Sequence, residues 1–250
     1  MDGQVSPKAE IADPAARIAS LLAAQKAGWA KDVTPDQATR DDRLARLDRM
    51  IEAWQERFAA AISEDFGNRP AVVTTLTDIV PVRAAIRHGR KHLKRWMRPR
   101  RVSLAWTGKP ASAVILRQPL GVVGIVAPWN YPLNLMLSPL VGALAAGNRA
   151  ILKPSELTPA FSEVLAKAIS ETFSEDEVAV VTGGPEVATA FTSAPFDHLI
   201  FTGSTAIGRK VAEAAAKNLT PVTLELGGKS PAILDASVQF DKAVPRLVWG

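Results

Sequence analysis

Four short polar runs contain the residues of this sequence best suited to chemistry. Pro128-Trp129-Asn130-Tyr131-Pro132 sets an uncharged amide between two prolines, where it can donate a fixed hydrogen bond to a developing oxyanion. Taken alone, a turn asparagine satisfying local backbone explains it better. Lys153-Pro154-Ser155-Glu156 offers a donor and an acceptor suited to the hydroxyls of a ribose. Ser155 and Thr158 starting a helix ahead of Pro159 explain it equally well. In Phe201-Thr202-Gly203-Ser204-Thr205, followed by Ile207 and Gly208, a glycine allows close backbone approach and a helix start offers N–H groups to a pyrophosphate. The spacing is not G-x-G-x-x-G, and helix capping alone accounts for it. Glu225-Leu226-Gly227-Gly228-Lys229 gives a carboxyl group that suits a general base tuned by burial, or an ionised glutamate capping backbone donors.

The surrounding pattern places each run after a strand. Short apolar strands at Val122–Val126, Ala150–Leu152, Val178–Val181, His198–Phe201 and Val222–Leu226 alternate with helices at Leu133–Ala146, Pro159–Phe173, Glu186–Thr192 and Ser204–Lys217. Strands apolar on both faces and joined by helices imply an α/β fold, an open five-stranded parallel sheet with helices on both faces. Ligands of such sheets sit at the carboxyl ends of the strands. The first hundred residues read as helices. Ile11, Ala15, Ile18 and Leu22 form one stripe; Leu44, Leu47, Ile51, Trp54, Phe58, Ile62 and Phe66 form another, with a capping signal at Thr39 and Asp42. A third pattern runs through Leu76, Ile79 and Ile86 towards Trp96, and Val102–Trp106 with Ala113–Leu116 reads as a hairpin.

Composition removes several function classes. The chain has no cysteine, which excludes disulfides, Cys-ligated zinc and a thiol nucleophile within these residues. No metal site is expected. The uncharged stretch Gln118–Asn148 is broken by Pro119, Pro128, Pro132 and Pro139, so a buried strand, loop and helix explain it better than a membrane span. The absence of cysteine fits a cytoplasmic protein, and the amino terminus shows no apolar core of a secretory signal. Thirteen Lys or Arg and no acid lie between Asp78 and Glu156, most densely over Arg87–Arg101. That segment lacks interleaved aromatics, and a solvated or acid-paired helix face is favoured over a nucleic-acid or membrane patch.

Each signal is weak singly, but the order amide, Lys/Glu, Gly-Ser helix start, Glu-Gly-Gly resembles the aldehyde dehydrogenase superfamily from about Gln118 onwards. The finer match of residues 77–102 and 118–132 is to its coniferyl-aldehyde branch. The resemblance implies a Rossmann-like cofactor domain over residues 1–101 and 118–227, an oligomerisation arm at 102–117 and the start of a catalytic domain at 228–250, most of which would be missing. It implies that Lys153 and Glu156 hold the adenosine ribose and that Ser204, behind Gly203, faces the pyrophosphate. Val126, Trp129, Gly183, Ile207 and Leu226 would line the groove. NAD is favoured over NADP, since a carboxylate at Glu156 repels a 2′-phosphate, although related enzymes with the same run accept both.

The implied reaction is oxidation of an aldehyde to the acid, with Asn130 stabilising the oxyanion and Glu225 activating water. The family's nucleophilic cysteine would lie beyond Gly250, so the chain by itself is expected to be inactive, the front half of a homo-oligomeric enzyme. A non-catalytic NAD-binding or partner-binding remnant is the alternative. A related acyl-phosphate or acyl-thioester reductase is disfavoured, because a deacylating base at Glu225 has no role in reduction.

Overall fold

The computed structural model describes residues 13–249. Ile11, the first residue of the first predicted stripe, lies outside them. The helix α1 (Pro14–Lys31) starts at Asp13, whose carboxylate accepts the N–H groups of Ala15 and Ala16, and it buries Ile18, Leu21, Leu22 and Gln25. Ala15, expected on this stripe, is exposed. Helix α2 (Gln37–Asp65) buries the predicted positions from Leu44 to Ile62. Its N-cap is Asp36 rather than Thr39: the Asp36 carboxylate accepts the Thr39 N–H at 2.8 Å, so the threonine is the capped residue. At the other end Asp65 accepts the N–H groups of Ala160 and Phe161, capping a later helix from a distance.

The third helical pattern is one winding in three pieces: α3 (Ala71–Thr74), a π-turn (Thr75–Ile79) and α4 (Val80–Trp96). A π-turn inserts an extra residue and rotates what precedes it. Leu76, expected on the buried stripe, is therefore 63% exposed, while Asp78, Ile79, Val82 and Ile86 point inward. Arg83 and Arg90 on α4 pair with Asp48 and Asp41 on α2, which accounts for part of the basic face.

Strand β1 (Arg100–Val102) pairs antiparallel with β2 (Ala113–Ile115). The first hairpin strand thus precedes the predicted Val102–Trp106. Beyond Val102 the chain has no strand partner among the described residues, and it closes into a 3₁₀ turn at Trp106–Gly108 with Trp106 84% exposed. Pro110 also lacks the N–H that would extend the ladder.

From there the expected alternation is observed: β3 (Val122–Val126), α5 (Pro132–Ala146), β4 (Arg149–Lys153), α6 (Pro159–Thr172), β5 (Val178–Val180), α7 (Pro185–Thr192), β6 (His198–Gly203), α8 (Thr205–Ala216) and β7 (Val222–Leu226). The five strands form one parallel sheet in the order β5-β4-β3-β6-β7. Alternate side chains divide between two cores, as the two-residue period requires. Val123, Ile125, Ala150, Leu152 and Val178 meet α2, α4, α5 and α6. Val122, Val126, Ile151, Ala179, Leu199 and Phe201 meet α1, α7 and α8. The uncharged stretch resolves into β3, a loop and α5, and no helix among the described residues is long and apolar enough to cross a membrane. A final helix, α9 (Phe240–Trp249), leaves Phe240, Val244, Leu247 and Val248 exposed, as are Ile233 and Leu234 before it.

Candidate active site

All four polar runs emerge at the carboxyl edge of the sheet. The register sets Val126 level with Lys153 on one side and Phe201 on the other, and Thr202 and Gly203 level with Glu225 and Leu226. The chain winds from β3 through β4 to β5, then crosses to β6 and β7. The crevice between β3 and β6 is therefore a topological switch point, where such sheets bind ligands.

On β4, Lys153 is 1% exposed; its Nζ donates to the Pro154 carbonyl at 3.0 Å and to Glu156 Oε2 at 3.1 Å. The Glu156 side chain remains 42% exposed, so one face of the carboxylate is open to a ligand. Burial raises the Glu156 pKa, but its own backbone N–H and the Lys153 ammonium outweigh that, and the carboxyl group titrates below its ordinary range. Gly183, after β5, has φ 148° in the region that favours glycine, with Val187 directly against its missing side chain.

Ser204 caps α8, its Oγ accepting the Ile207 N–H at 3.3 Å. The capping explanation of this serine therefore holds, and the other first-turn donors have no acceptor within the helix. A Cβ on Gly208 would sit 2.7 Å from Leu226 Cδ2, so this glycine lets the helix start lie against the end of β7. Ile207 and Leu226 are exposed there, and Val126, at the end of β3, is buried, so apolar side chains lie along this edge beside a helix N-terminus. An extended anionic ligand with apolar ring faces fits this combination.

Asn130 is exposed, and its side-chain amide makes no hydrogen bond with the described residues. It is therefore a free donor, not a turn residue satisfying its own backbone. Trp129, 48% exposed, lies with its ring centroid 5.9 Å from that of Phe66. Glu225 is exposed too, which corrects the expectation of a buried carboxyl group. Strand β7 is the sheet edge, and Thr223 and Glu225 on its other face are exposed. With Leu224 packed against the α8 side, alternation turns Glu225 to the α5 face, the side to which the Asn130 loop leads. Two strand spacings, about 10 Å, separate β3 from β7, and the structure brings the two residues to one edge without contact.

Two residues beside this loop escaped the sequence reading. Arg69 Nη1 donates to the Asn130 carbonyl at 3.0 Å, and its Nη2 donates to Thr77 Oγ1 and to Asp78 Oδ2. Asp78, fully buried, accepts the N–H groups of Leu133 and Asn134 at 3.2 Å through Oδ1. Burial pushes its pKa up, against the pull of the Asn134 N–H and Arg69. The available signal was an acid on the buried stripe shared with Val82 and Ile86. Among the described residues no cluster of three His, Cys, Asp or Glu is arranged to hold a metal.

A sequence profile described as "Aldehyde dehydrogenase family" matches residues 4–250. Coniferyl aldehyde dehydrogenase from Pseudomonas sp. is 48% identical over 209 residues, which cover 82% of this chain and 43% of that protein. The substrate-bound state of Staphylococcus aureus AldH superimposes with a TM-score of 0.88 at 37% identity, over 93% of this chain and 50% of that one. A mutant of aldehyde dehydrogenase C from Pseudomonas syringae, solved with NAD+ and octanal, gives 0.78 at 31% identity, over 93% and 47%. The chain spans about half the length of the curated relatives it matches.

Proposed function

The chain belongs to the aldehyde dehydrogenase family, and from that premise we propose that it supplies the NAD-binding face and two catalytic groups for oxidation of an aldehyde to its carboxylic acid. The observation that carries this reading is the convergence of Asn130, Lys153–Glu156, Ser204 and Glu225 on one edge of one sheet. Lys153 and Glu156 hold the adenosine ribose. The α8 start at Ser204, reached through Gly203, receives the pyrophosphate, and Val126, Trp129, Gly183, Ile207 and Leu226 line the groove. NAD is the preferred cofactor, with NADP also admitted; when bound it supplies the hydride acceptor. Asn130 Nδ2 donates to the oxygen that gains charge as the carbonyl is attacked. Glu225, open to solvent on the same side, takes a proton from the water that releases the acid.

The substrate class is an aromatic enal of the coniferyl-aldehyde kind, supported by similarity to the coniferyl aldehyde dehydrogenase of Pseudomonas sp.. Residues 1–101 and 118–227 serve as the cofactor domain, 102–117 as an arm joining copies of a cytoplasmic homo-oligomer and 228–250 as the beginning of the catalytic domain. The reaction also needs a thiolate, and none of the 250 residues is cysteine. The same fact favours the second reading, a non-catalytic NAD-binding or partner-binding protein. Calorimetry with NAD on the purified chain, paired with a search for NADH on adding aldehydes, tests both halves. Saturable binding without turnover is expected. NADH production would overturn the predicted inactivity, and failure to bind NAD would remove the cofactor assignment.

A further inference from the structure

Asn130 sits in a five-residue loop, 127–131, that belongs to no helix or strand. Its side-chain amide makes no hydrogen bond with the described residues, so the region it can reach depends on where its main chain is held. The loop begins with the Ala127 N–H on the Lys153 carbonyl at 3.3 Å, and at Asn130 its main chain is held from the segment Phe66–Asp78. The Arg69 guanidinium donates to the Asn130 carbonyl and lies 5.2 Å from the Tyr131 ring centroid and 5.0 Å from that of Phe66. Phe66 in turn meets Trp129. On the other side of the loop, Asp78 takes the N–H groups of Leu133 and Asn134, and the Asn134 amide donates to the Thr77 carbonyl at 3.0 Å. Residues 129 to 131, 133 and 134 are thus each tied to the segment Phe66–Asp78.

The pair joining the two halves of this clamp is withdrawn from water: the Arg69 side chain is 9% exposed and that of Asp78 is 0%. A buried ion pair is a weak source of stability, because desolvation offsets its attraction, and apolar replacements often do as well. Its fork of donors nevertheless sets geometry that apolar packing cannot, one nitrogen on the loop carbonyl and the other on the carboxylate. The π-turn that carries Asp78 points the same way. It carries both Asp78 and Ile79 buried beside the loop, and such turns recur at functional sites.

We propose that Arg69 and Asp78 are positioning residues that fix the main chain at Asn130, so that its free amide is presented in one direction at the strand edge. The proposal rests on the reading of Asn130 as the oxyanion donor. It assigns no contact with substrate or cofactor to either charged residue.

The test is nuclear magnetic resonance on the isotope-labelled 250-residue chain, with Arg69→Lys, Asp78→Asn and a control, Arg83→Gln, which breaks the Arg83–Asp48 pair between α4 and α2. In Arg69→Lys the Asn130 side-chain amide and Trp129 indole signals are expected to shift. In Asp78→Asn, N–H exchange at Leu133 and Asn134 should rise roughly tenfold or more, the equivalent of one hydrogen bond to a charged acceptor. Exchange in β3 and β4 should stay within about twofold, and Arg83→Gln should leave the loop unchanged. Unmoved Asn130 signals in both clamp variants would overturn the proposal. So would uniform acceleration across the sheet, the mark of a merely structural pair. Should neither variant fold, wild-type order parameters decide. A value near 0.85 at Asn130 supports the clamp, and one below about 0.6 overturns it. Failure of the oxyanion reading looks different: the amide is held by the clamp, yet Asn130→Ala leaves turnover unchanged in an enzyme that carries the thiol.

Discussion

The proposed ribose grip makes a prediction in which two ligands respond in opposite directions to one substitution, Glu156→Gln. In the wild type the Lys153 ammonium is buried and the Glu156 carboxylate is partly exposed, 3.1 Å away. An ionised acceptor for a ribose hydroxyl contributes about 1.5–3 kcal/mol, a neutral one about 0.5–1.5, so NAD should bind weaker by about 1 kcal/mol. For NADP the same carboxylate faces a 2′-phosphate. Two unit charges 4 Å apart repel by about 4 kcal/mol at an effective dielectric of 20 and about 1 kcal/mol in water. Solvent reaches Glu156, so the lower end applies, and removing its charge should tighten NADP by about 1 kcal/mol. Together the ratio of the two dissociation constants should move about 30-fold towards NADP, equivalent to about 2 kcal/mol. Isothermal titration of both ligands against both proteins measures it, and the ratio cancels errors in active fraction. The NADP gain should also shrink at high salt, as the repulsion is screened. A ratio that changes less than about threefold would refute the placement of Glu156 at the ribose.

Two further predictions concern stability. Phe58, fully buried with its ring centroid 5.9 Å from that of Phe161, joins α2 to α6, and Phe58→Ala should destabilise by about 3–5 kcal/mol; urea unfolding measures this, and a loss below about 1 kcal/mol would refute its core role. Burial raises the pKa of Glu177, but the hydrogen bonds and charges of Arg46 and Arg43 outweigh it and leave it depressed. Its contribution is therefore complete above the ordinary glutamate pKa and is lost as pH falls through the depressed folded value. The difference in urea midpoint between wild type and Glu177→Gln should close across that window, and a difference independent of pH would contradict the assignment.

The sheet was legible because each strand is a short apolar run bounded by glycine, proline or charge, and each predicted strand overlaps an observed one over nearly its whole length. Local signals failed where a partner from elsewhere decides the outcome. Thr39 reads as a cap until Asp36 is seen to hold its N–H, and Asp65 caps a helix nearly a hundred residues on. Val102–Trp106 is β-prone, yet among the described residues it has no strand to pair with beyond Val102. Glu225 reads as buried because its strand is apolar, but an edge strand buries only what its neighbours cover. The Arg69–Asp78 clamp was hidden for the same reason: its partners lie on α5 and in the loop before it, more than fifty residues away.

The strand order also constrains what ligand can use this edge. Gly183 follows β5 at one side of the sheet and Leu226 ends β7 at the other, with β4, β3 and β6 between. Four strand spacings put them about 19 Å apart. A compact ligand would occupy the Lys153–Glu156 end or the Ser204–Leu226 end and leave the other unused. Only an elongated molecule crossing the end of β3 engages both, and there it must pass Val126 and the loop of Trp129 and Asn130. The loop that presents the amide is thus also the rim of the crevice. Under the proposed function, any movement of that rim would change cofactor seating and oxyanion geometry together, which is a reason for it to be held by a buried charged pair and not by exposed loop contacts alone.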